Sequence, residues 1–300
     1  MQPASLPQLQ VFLAVARHRS FSGAARELGV SASAVSQSVK QLEDHLRAVL
    51  LHRTTRAVAP TETGVRLIEA AGPAMKQAAD ALAAASAQPG EVVGRVKVSV
   101  SRMSIPFVMA PLLPVFRARY PRIELDVVIE ERLVNIVAEG YDAAVRLTEA
   151  IERDMVQVRV TDEFRFVVVG SPAYLERHGV PRKPPDLLRH ECLTFRSQTS
   201  GALYAWELER GRQNWRVPVR GGVVANEPQF CVMMAEQGLG LAYTFEPSVA
   251  AQLRAGTLKK VLEAYAPKVP GFFLCYPSRA RSSPALRLFV DVAKEVLSHR

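Results

Sequence analysis

The chain has 300 residues and a mass of 33.0 kDa, enough for two or three domains of about 100–200 residues each. Its 48% hydrophobic and 22% charged content excludes a disordered chain, and its three cysteines exclude a disulfide framework. The formal net charge of +9, from 38 Lys+Arg against 29 Asp+Glu, suits an anionic partner such as nucleic acid without specifying one.

The charge is uneven. Residues 1–60 hold seven Lys/Arg and three Asp/Glu, residues 61–88 two and three, and residues 89–300 twenty-nine and twenty-three. Val11 to Ala16 is a short apolar run ended by Arg17, which does not match a secretory leader. No apolar run approaches the roughly 20 residues of a membrane helix. A soluble, cytoplasmic protein with no membrane partner is expected.

Residues 1–60 read as short helices. Leu9, Phe12, Val15 and Ala16 recur at helical spacing. Ser20 can cap a second helix, Phe21 to Leu28, and Gly29 can end it. Ser31 can cap a third, whose apolar positions Val35, Val39, Leu42 and Leu46 step by 4, 3 and 4. Small residues at Ala24, Ala25, Ala32 and Ala34 let two helices cross closely, as in a helix-turn-helix unit. The opposite side of the third helix carries Ser33, Ser36, Gln37 and Lys40. Gln can pair bidentately with adenine, and Ser can bond to bases or phosphate. The same face also suits solvent. His52-Arg53-Thr54-Thr55-Arg56 follows, with Arg53, Thr54 and Arg56 as phosphate or minor-groove ligands on a wing.

Pro60 and Thr61 open a long helix over residues 61–88. Val65, Ile68, Met75, Ala79 and Leu82 form a narrow apolar seam that needs a partner helix, expected to be the same helix of a second chain. Pro73 should bend it.

Gln88-Pro89-Gly90 marks a linker, and strands then alternate with helices. A strand around Val96, Val98 and Val100 is followed by a helix over 105–119, a strand over 123–129, a helix over 133–139 and a strand over 143–147. A second series has strands at 166–169, 193–196, around Trp206 and Trp215, and at 223–225 and 241–245, with helices at 173–178 and 228–237. A strand at 272–276 and a helix over 283–297 close the chain, the helix burying Leu286, Phe289, Val290, Ala293 and Leu297. The alternation predicts parallel sheets covered by helices.

Several motifs together resemble the LysR-type transcriptional regulators. They are Phe12-Leu13-Ala14-Val15-Ala16, Ser20-Phe21-Ser22-Gly23-Ala24-Ala25, Leu28-Gly29-Val30-Ser31, Ser33-Ala34-Val35-Ser36-Gln37-Ser38-Val39 and Gln41-Leu42-Glu43. Arg53-Thr54-Thr55-Arg56 and Thr61-Glu62-Thr63-Gly64 continue the pattern. Glu139-Gly140-Tyr141-Asp142-Ala143, Arg146-Leu147, Gly271-Phe272-Phe273-Leu274 and Tyr276-Pro277-Ser278 resemble one large subgroup. Arg47, Leu51 and Pro60 depart from the pattern, where Gly, Phe and Leu are usual.

The resemblance implies an α/β chain: an N-terminal winged helix-turn-helix (1–60), a dimerisation helix (61–88) and a two-lobed effector domain (89–300) similar to periplasmic binding proteins. Lobe I would be 89–164 with 267–300, and lobe II 165–266. It also implies a homodimer or homotetramer on a pseudo-palindromic double-stranded operator, RNA polymerase as a further partner, and a small-molecule effector in the cleft. A ligand that prefers one arrangement shifts the population toward it.

Ligands of open parallel sheets bind beyond the carboxyl ends of strands. That rule selects Ser101, Ser104, Arg146, Arg196 and Asn226 as effector-binding candidates. Two arginines there would favour an anionic effector. Each has a structural alternative: Ser101 and Ser104 as helix caps, Arg146 paired with Glu130 or Glu149, Asn226 satisfying loop backbone.

No catalytic residue, metal or cofactor is expected. Gly238-Leu239-Gly240 lacks a third glycine, His190-Glu191-Cys192 lacks a second metal pair, and neither G-x-S-x-G nor H-E-x-x-H occurs. Cys192, Cys231 and Cys275 read as buried, inert thiols, with redox sensing as the alternative.

Overall fold

The structure, a computed structural model, describes residues 6–53, 58–85, 92–147, 155–278 and 283–297. The head begins with α1 (Leu6–His18), α2 (Phe21–Leu28) and α3 (Ala32–Leu46). Ser20 Oγ accepts from Gly23 N at 3.1 Å and Ser31 Oγ from Ala34 N at 3.2 Å, each satisfying an orphan donor of the helix it caps. Gly29 ends α2 at φ +66°. Phe12, Val15, Ala24, Val35 and Val39 are fully buried together, the alanines allowing the close crossing expected.

A hairpin of β1 (Leu51–Arg53) and β2 (Val58–Pro60) follows, pairing Leu51 with Pro60 and Arg53 with Val58. Then comes α4 (Glu62–Ala85). Thr61 Oγ1 accepts from Gly64 N at 3.0 Å and donates to Val49 O at 2.7 Å, so one hydroxyl caps α4 and ties it to the hairpin. A Cβ at Gly64 would lie 2.2 Å from Leu50 O, a contact only glycine avoids. The helix continues through Pro73. Of its expected seam, Ile68 enters the head core, while Leu82 is 72% exposed.

The remaining chain builds two lobes. It supplies β3 (Gly94–Val100), α5 (Ala110–Arg119), β4 (Ile123–Ile129), β5 (Ala143–Leu147), β6 (Met155–Arg159) and β7 (Phe164–Gly170). Next are α6 (Pro172–His178), β8 (Thr194–Phe195), β9 (Trp206–Arg210), β10 (Gln213–Val217), β11 (Val224–Ala225) and α7 (Pro228–Glu236). Last are β12 (Ala242–Phe245), α8 (Ala250–Ala255), β13 (Lys259–Val261), β14 (Lys268–Val269), β15 (Phe272–Pro277) and α9 (Pro284–Leu297). Lobe I is a five-stranded sheet in the order β4-β3-β5-β15-β6, with α5 and α9 on one face. All five apolar positions expected inside α9 are buried. Lobe II is centred on β7, flanked by β12 and β13. Phe245 of β12 meets Phe107 of lobe I edge-to-face at 5.2 Å, so aromatic rings join the lobes.

Two expectations are corrected. The sheet of lobe I is mixed, with β3 parallel to β4 and β5 but β15 antiparallel to β5 and β6, and the sheet around β7 is antiparallel, β7 pairing so with β12, β13 and β14. The chain crosses between lobes twice, and β15 re-enters lobe I with its direction reversed. The helix expected at 133–139 is one turn ending at Gly140, φ +70°, with Ala138 N bonded to Asn135 Oδ1 at 2.8 Å. The single turn closes with Tyr141 N donating to Ile136 O at 2.8 Å. Among the described residues no helix is long and apolar enough to cross a membrane.

Arg47, which ends α3, sits at φ +50°, a left-handed conformation that L side chains disfavour. Arg47→Gly should therefore stabilise the fold by about 0.5–1 kcal/mol. Urea unfolding would show a raised midpoint with unchanged slope, and a lowered midpoint would contradict the strain.

Candidate functional site

The first candidate surface is α3. Val35, Val39 and Leu42 are at most 2% exposed and face α1 and α2. Ser33, Gln37 and Lys40, spaced by about one helical turn, are exposed on the other side, and Ser36 is half-buried. Ser31 has its Oγ engaged in the cap and 2.9 Å from Ser33 Oγ. One residue was given no role from sequence: Glu43. Its Oε1 accepts from Leu50 N at 2.8 Å and Leu51 N at 3.2 Å, fixing the start of the hairpin relative to α3. The side chain of Arg53 and residues Thr54 and Arg56 lie outside the described residues.

The second candidate surface is the cleft. Arg102 N donates to Glu131 Oε1 at 2.7 Å, joining the loop after β3 to the loop after β4. Leu133 N donates to Thr199 Oγ1 at 2.9 Å, joining that loop to lobe II. The loops after β3 and β4 thus meet each other and the Thr199 loop of lobe II. Ser101 Oγ is buried there with no hydrogen-bond partner among the described residues, a polar atom whose desolvation nothing offsets.

The other candidates differ. Ser104 is fully buried and its hydroxyl donates to Ser101 O at 2.7 Å, so its donor is spent on the loop. Arg146 is 8% exposed, with NH2 bonded to Ser99 Oγ at 2.6 Å and NH1 to Val145 O at 2.9 Å. Burial lowers its pKa from the usual arginine value, while the Glu131 and Glu130 charges oppose that. No carboxylate pairs with it among the described residues, and Glu149 lies outside them. Arg196 is exposed and donates to Gly201 O at 2.8 Å. Asn226 is exposed between β11 and α7, where Glu227 rather than Asn226 caps the helix through Phe230 N at 2.7 Å. A separate cavity of about 540 Å³ in lobe II is lined by Arg165, Glu246, Lys260 and Glu263, and none of the five candidates lines it.

Residues 89–298 match the model of the LysR substrate binding domain, and residues 6–65 that of the bacterial regulatory helix-turn-helix proteins of the lysR family. The chain belongs to the LysR family of transcriptional regulators. It is 38% identical over 290 residues to a Pseudomonas aeruginosa protein described as a transcriptional regulator, covering 97% of this chain and 95% of that one. It is 32% identical to the HTH-type transcriptional regulator PgrR of Escherichia coli, covering 98% of each chain. The solved structure of CrgA, a LysR-type regulator from Neisseria meningitidis, matches with a TM-score of 0.59 at 29% identity, over 97% of this chain and 99% of that one. This LysR-type regulator is thus a DNA-binding protein with an effector-binding domain.

Within this regulator, the motifs of other chemistries have structural roles. In His190-Glu191-Cys192, Tyr174 OH accepts from Glu191 N at 2.9 Å and Glu191 Oε2 accepts from Gly222 N at 2.9 Å, tying the segment to α6 and to the loop before β11. Gly238, at φ +79°, follows the end of α7, and a Cβ at Gly240 would lie 2.5 Å from Glu191 O. All three cysteines are buried. Burial pushes the thiols of Cys192 and Cys275 up to about 12 and that of Cys231 up to about 11.

At pH 8 these thiols hold little thiolate, the reactive form. Iodoacetamide should leave the native protein unmodified and add three labels after denaturation. Rapid labelling of the folded chain, seen by intact mass, would contradict the burial.

Proposed function

We propose that residues 1–60 read double-stranded DNA through α3 and the wing, that 61–88 pair two chains, and that 89–300 bind a small anionic effector between the lobes. The exposed Ser33, Gln37 and Lys40, opposite the buried Val35, Val39 and Leu42, carry this reading. A helix entering a major groove must offer polar side chains on one face near its N-terminus while its other face holds the fold. Ser36, Arg53, Thr54 and Arg56 complete the contact surface, Ser31 holding the start of α3.

Self-association as a dimer or tetramer is supported by two apolar surfaces, Leu82 on α4 and Phe230, Met233 and Leu239 on and after α7, each at least 41% exposed. A pseudo-palindromic operator matches a twofold protein, and RNA polymerase is the natural neighbour at a promoter. The effector's anionic character is supported by the two arginines among the candidates, Arg146 of lobe I, which has no carboxylate ion-pair partner among the described residues, and the exposed Arg196 of lobe II. The protein acts in the cytoplasm as a regulator rather than an enzyme.

On the DNA upstream of its own gene, Lys40→Ala should weaken binding evenly across sequences and lower the salt slope by about one. Gln37→Ala should instead relax preference at one base pair, costing about 1–3 kcal/mol of discrimination. Unchanged binding by both variants would overturn α3 as the reader. In a thermal-shift screen, small carboxylic acids should raise the melting temperature where their neutral amides do not. Equal inertness of both sets would contradict an anionic effector.

A further inference from the structure

Arg19, between α1 and the cap of α2, holds φ +49°, one of three non-glycine residues with positive φ among the described residues. That conformation turns the chain at the end of α1, and the side chain reaches the other domain, where Arg19 NH2 lies 3.6 Å from Glu139 Oε1 of lobe I. Two neighbours strengthen this junction. Arg17 Cδ would lie 3.5 Å from a Cβ at Gly140, and Lys76 of α4 lies 3.5 Å from Asp142. The head is therefore docked on the segment that follows Glu130.

That segment leads back to the cleft. Arg132 donates two bonds to Glu139, NH1 to Oε1 at 2.8 Å and NH2 to Oε2 at 2.5 Å. The same guanidinium reaches Glu130 Oε2 through Nε at 2.9 Å. Both carboxylates are mostly shielded, 17% and 20% exposed, so their pairing with Arg132 is screened less than a surface pair. The Glu139 hydrogen bond raises the Arg132 pKa, against partial desolvation. Glu130 adjoins Glu131, which holds the Ser101 loop through Arg102 N, and Leu133 N holds Thr199 of lobe II.

We propose that Glu130, Arg132, Glu139 and Arg19 form a charge relay by which lobe movement at the cleft changes how the DNA-binding head is held. The proposal rests on the reading of the cleft as the effector site. Effector binding that moves lobe II against lobe I displaces the 130–133 loop through Thr199. The bidentate pair carries that shift to Glu139, and Arg19 is drawn with it or released.

Amide hydrogen exchange of the full chain, without DNA or ligand, tests this. Thr199→Val removes the cross-cleft acceptor and should speed exchange of the α1–α2 segment, residues 14–24, about two- to five-fold, the scale of one exposed ion pair. Arg19→Gln should speed exchange of residues 128–141 by a similar factor. With Glu139→Gln already present, Thr199→Val should no longer affect the head. Unchanged exchange in α9 reports an intact fold in each variant. A Thr199→Val effect confined to the cleft loops, or one that still reaches the head in the Glu139→Gln background, would overturn the relay. Failure here would leave the cleft as the effector site intact, since that is scored on the melting-temperature shift given by small carboxylic acids alone.

Discussion

The burial of one stripe of α3 governs the head. Val35, Val39 and Leu42 must leave water, and α1 and α2 offer the apolar surface that takes them. Once that stripe faces inward, the rotation of α3 about its axis is set, and Ser33, Gln37 and Lys40 must face out. The neighbouring devices refine this placement. Glu43 anchors the hairpin to the end of α3, and Thr61 anchors α4 to the hairpin. A chain of short polar contacts thus orients the hairpin and the linker helix relative to the exposed face of α3.

The effector half follows a different constraint. Its chain passes between lobes twice, and the core of lobe I runs on into lobe II at the crossing, where Phe164 and Phe245 pack against Phe107 and Phe272. The polar contacts concentrate on the loop after β4, which touches the Ser101 loop, lobe II and, through Arg132 and Glu139, the head. The same short segment that closes the cleft is also the segment on which the DNA-binding domain rests.

Much of this was legible in the sequence, because helices announce themselves. The caps at Ser20, Ser31 and Thr61, the stop at Gly29 and the periodic burial in α9 follow from local chemistry that needs no tertiary partner. Strand direction was not legible: Phe272 to Tyr276 looks the same whether it runs parallel or antiparallel to its neighbours, and only the return from lobe II decides. Met155–Arg159 is a strand outside those expected, although Val156 and Val158 alternate there with polar residues as Val96 and Val98 do in β3. Side-chain direction was the other gap. Ser104 and Arg146 stand at strand ends where a ligand could sit, yet their polar atoms bond inward to Ser101 and Ser99. The meeting of Glu130, Arg132, Glu139 and Arg19 exists only after the 130–140 segment folds back, so no spacing rule could reveal it.

The central claim is that two copies of α3 read DNA sequence. Genome-wide mapping of the sites bound by the full-length protein tests it most directly. Two copies of α3 on one operator should give a shared twofold-symmetric motif with half-sites separated by about one helical turn, or a multiple of it. Occupancy spread over the genome without a common motif would contradict it.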